Sequence, residues 1–290
     1  MSSFSTVDGS VLWGENLVNE GSAVFATATS CQEVNGSEVG NLKSPIRKDK
    51  ASFFEFNAGT SSVQISFKLN SGSTVPTAVA LIDTTFTPNS SGGRDWVRLE
   101  NSSSQGWNLY PYESFNGVNR YYLSTAGVTA RDTWYLIVGS DSSGTYSENG
   151  FMSIGGVYLA DSYSVVDLES NTTVSSANTS RTSVSAYGEA YSQDYHSFNQ
   201  IKLSTVPMTR SECVDFSDSV ADLGSSRTIL DLYGWEAQSN GYATGGWTSE
   251  DSFSTFYGTL GADGARVSVG SQSISKASAS FIEDGRGKRG

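Results

Sequence analysis

The sequence has few charged residues, few prolines, little cysteine or histidine, and no long apolar run. Charged residues make up 17% of the 290 positions, and the chain has 5 prolines, 2 cysteines and 1 histidine. Helix-forming residues rarely recur at helical spacing, which predicts that a long helix is absent. No apolar stretch approaches the roughly 18 residues that cross a bilayer as a helix. We therefore expect neither a helical protein nor insertion into a membrane.

The charge balance is acidic, with a formal net charge of −12 at pH 7. A nucleic-acid binder needs surplus Lys and Arg to neutralise phosphates, so we expect no nucleic-acid partner. The first residues carry neither the basic leader nor the apolar run of a secretory signal. The Ser-, Gly-, Asn- and Tyr-rich composition is nevertheless typical of extracellular surfaces. A virion protein made in the host cytoplasm has both properties, so we expect a location in the virion, with the cell surface as the alternative.

Alternating apolar residues indicate β-strands. Val63, Ile65, Phe67 and Leu69 alternate with polar residues, which is the period of a half-buried strand. Further strand-like segments are TAVALID, DWVRLE, NRYYLS, TWYLIVG and FMSIGGVYL, each bounded by Gly, Ser, Asn or Asp. Such short strands with frequent turns are typical of a sandwich or jelly roll.

Composition changes divide the chain into segments. We interpret residues 1–50, which end in the basic segment LKSPIRKDK, as an N-terminal arm and linker. Residues 51–160 form a first β-sandwich, residues 161–181 a Ser- and Thr-rich linker, and residues 182–290 a second β-rich domain with a basic tail. The predicted fold class is all-β, with two β-sandwich (jelly-roll-like) domains and an extended N-terminal arm.

The segments FFEFNAGTSSVQISFKL, TAVALID and DTWYLIVGS follow one another within residues 52–159. In this order they resemble the bacterial pre-peptidase C-terminal domain and related carbohydrate-binding jelly rolls. The insertion at residues 84–117 departs from the compact form of that family. The resemblance implies an accessory β-sandwich that binds or spaces, and it implies no catalytic residue.

A second resemblance lies in the segment SECVDFSDSVADLGSSRTILDLYG, at residues 211–234. It is similar to a segment of bacteriophage virion proteins in which a turn of the form "sFsdl" precedes "isLsdLYg". The resemblance implies a structural protein of the head, neck or tail.

Catalytic chemistry has little support in the residues. His196 has no GxSxG nucleophile motif to serve as the base of a triad. Carboxylates such as Glu236, Glu250 and Asp251, close to tryptophans, would suit a glycosidase, but solvated turn residues explain them better. We expect no enzyme and keep a glycoside-active enzyme as the second alternative.

Metal binding has similarly weak support. Cys31 and Cys213 have no second thiol nearby, so we expect two buried free thiols and no metal site, with a disulfide left as an alternative. The acidic loops at residues 141–149 and 261–266 contain oxygen ligands that calcium accepts, but they lack the EF-hand order. No cofactor is expected, and calcium stays open.

Aromatic residues are the strongest candidates for binding. Exposed rings stack on sugars and also anchor protein interfaces. Several rings crowd into the predicted loop at residues 106–117, and others lie near residue 240. The candidate contact residues are Trp107, Tyr110, Tyr112, Phe115, Trp235, Tyr242 and Trp247.

These observations favour a structural component of a virus particle, specifically of a bacteriophage. Its expected partners are other virion proteins and copies of itself, reached through strand edges and loop aromatics. Attachment to a host surface glycan is a further expected role. The alternative is a carbohydrate-binding or adhesion module of a bacterial surface protein.

Overall fold

The computed structural model describes residue 5 and residues 7–25, 31–33, 54–57, 62–82, 95–109, 118–140, 151–154, 156–169, 172–178, 181–184, 190–193, 197–224, 226–232, 234–235, 255–261, 266–269 and 274–283. Within these ranges most of the chain lies in antiparallel β-strands, which confirms the all-β prediction. In chain order the elements are β1 (Val7–Asp8), β2 (Ser10–Trp13), β3 (Val18–Phe25), β4 (Cys31–Glu33), β5 (Phe54–Asn57), β6 (Ser62–Leu69), β7 (Ala78–Ile82), β8 (Asp95–Asn101), β9 (Gly106–Leu109), β10 (Val118–Tyr122), β11 (Thr133–Ser140), β12 (Phe151–Ile154), β13 (Gly156–Ala160), β14 (Tyr163–Val166), β15 (Thr173–Asn178), β16 (Arg181–Val184), β17 (Ala190–Gln193), β18 (Ser197–Ser204), β19 (Met208–Thr209), α1 (Arg210–Leu223), β20 (Arg227–Asp231), β21 (Gly234–Trp235), β22 (Thr255–Leu260), β23 (Arg266–Val269) and β24 (Ile274–Glu283).

The chain divides into two compact units. Unit 1 comprises Met1–Val165 and Ile229–Phe256, and unit 2 comprises Val166–Thr228 and Tyr257–Gly290. These bounds differ from the predicted segments, because the predicted N-terminal arm contributes β2 and β3 to unit 1. The predicted linker at residues 161–181 also contains the strands β14 and β15. Its Ser- and Thr-rich composition does not exclude strands, since Thr is favourable on a half-exposed sheet.

Two sheets of unit 1 contribute to its main hydrophobic core. One has the strand order β3-β6-β11-β8-β9 and the other the order β10-β7-β13. In β6, Ile65, Phe67 and Leu69 are buried in this core while Lys68 is exposed, as the alternating pattern predicts. Removal of these apolar side chains from water provides the main favourable free energy of folding. Separately, β12, β5 and β4 form a small sheet, β1 pairs with β21, and β2 pairs with β20.

The central strand β7 is buried along its whole length. Val79 and Leu81 belong to the main core, whereas Ala80 lies on the opposite face because side chains alternate along a strand. Ala80 pairs with Arg120 of β10 on one side and with Tyr158 of β13 on the other. A small side chain between two large ones leaves room for both of them on this second face.

The sheet of unit 2 is built around β24. The strands β18, β19, β22 and β23 each pair with β24, and β15 pairs with β18. The helix α1 contacts β19, β23 and β24. Among the described residues of this unit, β15 is therefore the last strand on its side of the sheet.

The helix α1 corrects the sequence interpretation, which placed a turn in the segment SECVDFSDSVADLG. Its buried residues recur at the spacing of one helical face, and they are Cys213, Phe216, Val220 and Leu223. The Thr209 hydroxyl accepts a hydrogen bond from the backbone N–H of Glu212, and the Glu212 carboxylate accepts one from the backbone N–H of Thr209. Gly224, at a φ of 51°, ends the helix.

Candidate functional site

Four buried side chains of unit 1 form a polar group that we call the Asp231 cluster, and they are Trp13, Arg120, Tyr122 and Asp231. Arg120 and Tyr122 lie two positions apart on β10, so both point to the face opposite the main core. The strand β2 supplies Trp13, and its partner β20 supplies Asp231. The cluster thus joins three strands that are far apart in sequence.

Hydrogen bonds connect all four side chains of the cluster. The Arg120 Nε–H and the Tyr122 hydroxyl both donate to Asp231 Oδ2, the latter over 2.9 Å. The Trp13 Nε1–H donates to the Tyr122 oxygen over 3.1 Å. A carboxylate that accepts several hydrogen bonds beside a guanidinium tolerates burial that an unpaired charge would not.

Aromatic rings surround these polar atoms. The Trp13 ring meets Tyr122 and Tyr158 edge to face, with ring centroids 5.6 and 5.9 Å apart. The Tyr122 ring meets Tyr163 in the same manner at 5.3 Å. Such edge-to-face pairs add to the free energy gained from burial. The rings therefore exclude water from the ion pair as well as packing against it.

The surroundings keep Tyr122 in its neutral form. Burial raises the pKa of Tyr122 well above its ordinary value of 10.0, and the negative charge of Asp231 raises it further. The hydrogen bond from Trp13 and the positive charge of Arg120 lower the pKa, but by less. Tyr122 therefore acts as a hydrogen-bond donor to Asp231 and not as a phenolate.

The Asp231 cluster is suited to holding strands together and not to catalysis. Arg120 is 1% exposed and Asp231 is 0% exposed, so no substrate reaches the charged atoms in this conformation. Catalytic groups must approach a reacting atom to within hydrogen-bonding distance. A buried ion pair between distant segments instead raises the free energy of any strand arrangement in which one charged partner is buried without the other.

The structure places the first candidate contact residue, Trp107, in the main core and not in a loop. Trp107 lies on β9, is 0% exposed, and stacks on Trp134 with centroids 6.0 Å apart and an interplanar angle of 11°. Its glycine neighbour explains the error, because Gly106 signals a turn in sequence. In the structure a Cβ at Gly106 would lie 1.9 Å from the Leu99 carbonyl oxygen, so the close strand pairing requires glycine there. A contact role for the Trp107 ring is therefore corrected to a packing role.

The other candidate contact residues receive little structural description. Trp235 lies on β21, where it pairs with Val7 of β1. Tyr110, Tyr112, Phe115, Tyr242 and Trp247 lie outside the described residues, as do His196 and the carboxylates considered for glycoside cleavage. Their predicted roles stay predictions.

Cysteine and metal chemistry can be examined in part. Cys213 is a free thiol, buried on α1, and burial raises its pKa. The acidic loop at residues 141–149 lies outside the described residues, as do positions 262–265 of the other loop. In the part of the chain that the structure describes, no three His, Cys, Asp or Glu residues are grouped as metal ligands would be. No helix described is long and apolar enough to cross a membrane.

Among the described residues no strand pairs with the outer side of β15, which we call the contact edge (Thr173–Asn178). Its sequence TVSSAN contains no charged residue and no proline. Thr173, Val174 and Ser175 are exposed, and Val174 is exposed to 47%. Proteins normally protect such edges with charges, prolines or bulges because unpaired backbone groups bind other strands.

The segment before the contact edge is fastened to the sheet. Glu169 forms an ion pair with Lys276 of β24, and its other carboxylate oxygen accepts a hydrogen bond of 3.0 Å from the Ser204 hydroxyl. The Glu169 backbone N–H donates to the Ser204 carbonyl over 2.8 Å. On the strand itself, the Ser175 hydroxyl donates to the Gln200 carbonyl over 3.1 Å. The edge is thus held in a fixed extended form before any partner binds.

Comparison with models of known protein families finds no match for this chain, and comparison with curated proteins finds none either. The function proposed below therefore rests on the residues and the geometry alone.

Proposed function

We propose that this chain is a structural component of a bacteriophage particle that acts by protein–protein contact. Its place is the head surface, neck or tail, where it binds other virion proteins and copies of itself. The chain is made in the host cytoplasm and works in the assembled virion. Attachment to a host surface glycan is a further role within this proposal.

The contact edge is the observation that carries the proposal. A strand edge without charge, on which Thr173, Val174 and Ser175 are exposed, offers backbone N–H and C=O groups to an incoming strand, and backbone hydrogen bonds then form between the two chains. An isolated soluble protein gains nothing from leaving such an edge unprotected, and it risks aggregation. A subunit of an assembly uses the same edge productively.

The Asp231 cluster supports the same proposal. A particle protein must keep its shape while it is loaded by its neighbours, and buried ionic groups can specify one arrangement of strands. The Arg120–Asp231 ion pair adds rigidity, and its charged atoms are buried away from any substrate. This favours a structural protein over an enzyme. The acidic surface, at a net charge of −12, also disfavours direct contact with packaged nucleic acid.

We also propose that the two units are β-sandwich domains of jelly-roll type. In unit 1, apolar residues of two sheets contribute to one core, as in packed sheets. Unit 2 has an antiparallel sheet on which α1 contacts β19, β23 and β24.

Fractionation of particles tests the proposal. Virions from the source that encodes the chain are banded on a density gradient, and antibodies against the recombinant chain locate it in the fractions. We expect the chain to band with intact particles after a high-salt wash and to carry immunogold label at one site on the particle. A host outer-membrane protein serves as the contamination control.

A chain that stays at the top of the gradient, or that washes off together with the host control, would contradict the proposal. Binding of the soluble chain to purified particles that lack it is a second measurement. That binding should saturate at a fixed number of copies per particle, since symmetric assemblies offer a fixed number of sites.

A further inference from the structure

The sheet of unit 2 has two different faces. Side chains alternate along its strands, so that Leu203 of β18 and Ala277 and Phe281 of β24 are buried on one face. The helix α1, which contacts β24, lies on that face, because Lys202 and Ser278 on the opposite face are exposed. The opposite face is therefore open to solvent.

Three cations and several hydroxyl groups occupy this open face, which we call the basic face. Its residues are Lys202, Ser204, Arg266, Lys276, Ser278 and Ser280. The three cations are all at least partly exposed. Among the described residues of β15, β18, β23 and β24, no Asp or Glu alternates onto this face.

The strand register places hydroxyl groups between the cations. Ser278 lies opposite Arg266 on one side and opposite Ser204 on the other. Ser280 lies opposite Lys202. From the rise along a strand and the spacing between strands, the Cα atoms of the three cations are about 8 to 14 Å apart. The basic face thus presents separated positive charges with hydrogen-bonding groups between them.

The charge of the basic face is opposite in sign to that of the whole chain. Glu169, from the segment before β15, pairs with Lys276 and accepts a hydrogen bond from Ser204, so it offsets one of the three cations. The face stays positive on a chain whose net charge is −12. Solubility of an acidic chain does not require such a face, and a positive surface attracts anionic partners.

We infer that the basic face binds an acidic polysaccharide of the host surface. This inference rests on the proposed function and deepens it, because it gives the chemical class and the binding site of the host glycan. Charge complementarity selects an anionic partner. The anionic groups of an acidic polysaccharide are separated by sugar rings, whose hydroxyls donate and accept hydrogen bonds. This arrangement matches cations that are separated by serine hydroxyls.

Other polyanions match the basic face less well. Duplex DNA carries one negative charge per about 1.7 Å of helix axis, so three widely spaced cations neutralise few of its phosphates. The net charge of −12 also repels DNA from the rest of the chain. An acidic polypeptide offers carboxylates but few hydroxyl partners for Ser204, Ser278 and Ser280.

Binding of alginate, a polysaccharide with a carboxylate on every sugar, tests the inference. Isothermal titration calorimetry of the full chain at low salt should detect binding of alginate and no binding of dextran, which is neutral. Lys202→Gln and Arg266→Gln should each weaken alginate binding about tenfold, since each removes a charge-assisted hydrogen bond. Arg210→Gln, at an exposed position of α1, removes the same charge from the other side of the sheet and should leave binding unchanged.

The role of the hydroxyl groups is tested separately from that of the charges. Ser278→Ala keeps every charge and removes one exposed hydroxyl. It should weaken alginate binding about threefold, because one hydrogen bond to the sugar is lost. Weak binding of poly-glutamate, an acidic polypeptide, should not change in this variant. Circular dichroism verifies that each variant is folded.

Three results would overturn the inference. Alginate does not bind, or Arg210→Gln weakens its binding as much as Lys202→Gln does, or poly-glutamate or duplex DNA binds as tightly as alginate. The third result would assign the basic face to an acidic protein or to nucleic acid.

Failure of the proposed function gives a different result. A chain that bands with particles but does not bind alginate keeps the function and loses the inference. A chain that binds alginate through the basic face but is absent from particles keeps the binding surface and loses the proposed function.

Discussion

Arg120 and Asp231 lie 111 positions apart in the sequence and form a buried ion pair in unit 1. Tyr122 adds a hydrogen bond to the same carboxylate oxygen at 2.9 Å. Because charge burial is costly without a partner, the late strand β20 can pack in the interior of this unit only where Arg120 meets Asp231. The pair therefore links correct packing of β20 to the correct position of β10.

Asp231→Asn should strongly destabilise unit 1. The substitution keeps the shape of the side chain but leaves the Arg120 guanidinium buried without its counter-charge. We expect a loss of about 3–5 kcal/mol in the free energy of unfolding, measured by urea denaturation.

Glu100→Gln is the matched control. Glu100 forms an ion pair of 2.8 Å with Arg98, whose side chain is partly exposed, so its loss should cost less than about 1 kcal/mol. Equal losses for the two variants would show that burial of the Arg120–Asp231 pair does not matter.

Tyr122→Phe should change the response of the protein to alkaline pH. The pKa of Tyr122 is raised in the folded state, so folding retains a proton that the unfolded chain releases near pH 10.0. The stabilising contribution is therefore complete below pH 10.0 and is lost as pH rises through the folded pKa. Unfolding free energies at pH 9 to 11 should fall less steeply in Tyr122→Phe than in the wild type. An alkaline slope of Tyr122→Phe equal to that of the wild type would contradict the raised pKa of Tyr122 in the folded state.

Trp107→Ala should reduce stability and not merely surface binding. The ring is completely buried against Trp134, so its removal leaves a large cavity and should cost about 3–5 kcal/mol. Tyr135→Ala, on the same strand as Trp134 but partly exposed, should cost less. Unchanged thermal unfolding of Trp107→Ala would contradict the core position of this ring.

Thr209→Ala should loosen the start of α1. The change removes the Thr209 hydroxyl, which accepts a hydrogen bond from the Glu212 N–H and donates one to the Glu212 carboxylate. Loss of an N-cap costs about 1 kcal/mol, which should speed amide hydrogen exchange across α1 several-fold. Thr129→Ala, at an exposed position outside the helix and strands, should leave that exchange unchanged.

The local strands were the most predictable part of this fold. The alternation from Val63 to Leu69 predicts a half-buried strand, and β6 spans Ser62–Leu69 with Ile65 and Phe67 buried. The period-2 pattern matches the structure because successive side chains of a strand point to opposite faces of the sheet, one buried and one exposed.

The helix could have been predicted but was not. Thr209 and Glu212 have the spacing of a capping box, and Cys213, Phe216 and Val220 follow at helical intervals. The resemblance to a virion segment that contains a turn favoured a turn here, although Ser and Asp at exposed helix positions cost only a few tenths of a kcal/mol each relative to better helix formers.

Other features could not be predicted from local pattern. The segment NRYYLS predicted the strand that contains Arg120, but the pairing of Arg120 with Asp231 depends on which sheet faces meet, and a periodic pattern carries no information on partners. The contact edge was not predicted because its local composition indicated a linker and not a strand. The Ser- and Thr-rich composition of Thr173–Asn178 is that of a linker, and it becomes a strand only through pairing with β18.

The copy number of this chain in purified particles tests the central claim most directly. Quantitative mass spectrometry of gradient-purified virions compares peptides of this chain with those of the most abundant particle protein. We predict a fixed ratio that is the same in independent preparations, as symmetric assembly requires. A chain that is undetectable, or whose ratio varies with the amount of host contaminant, would contradict the claim that it is a structural component of the particle.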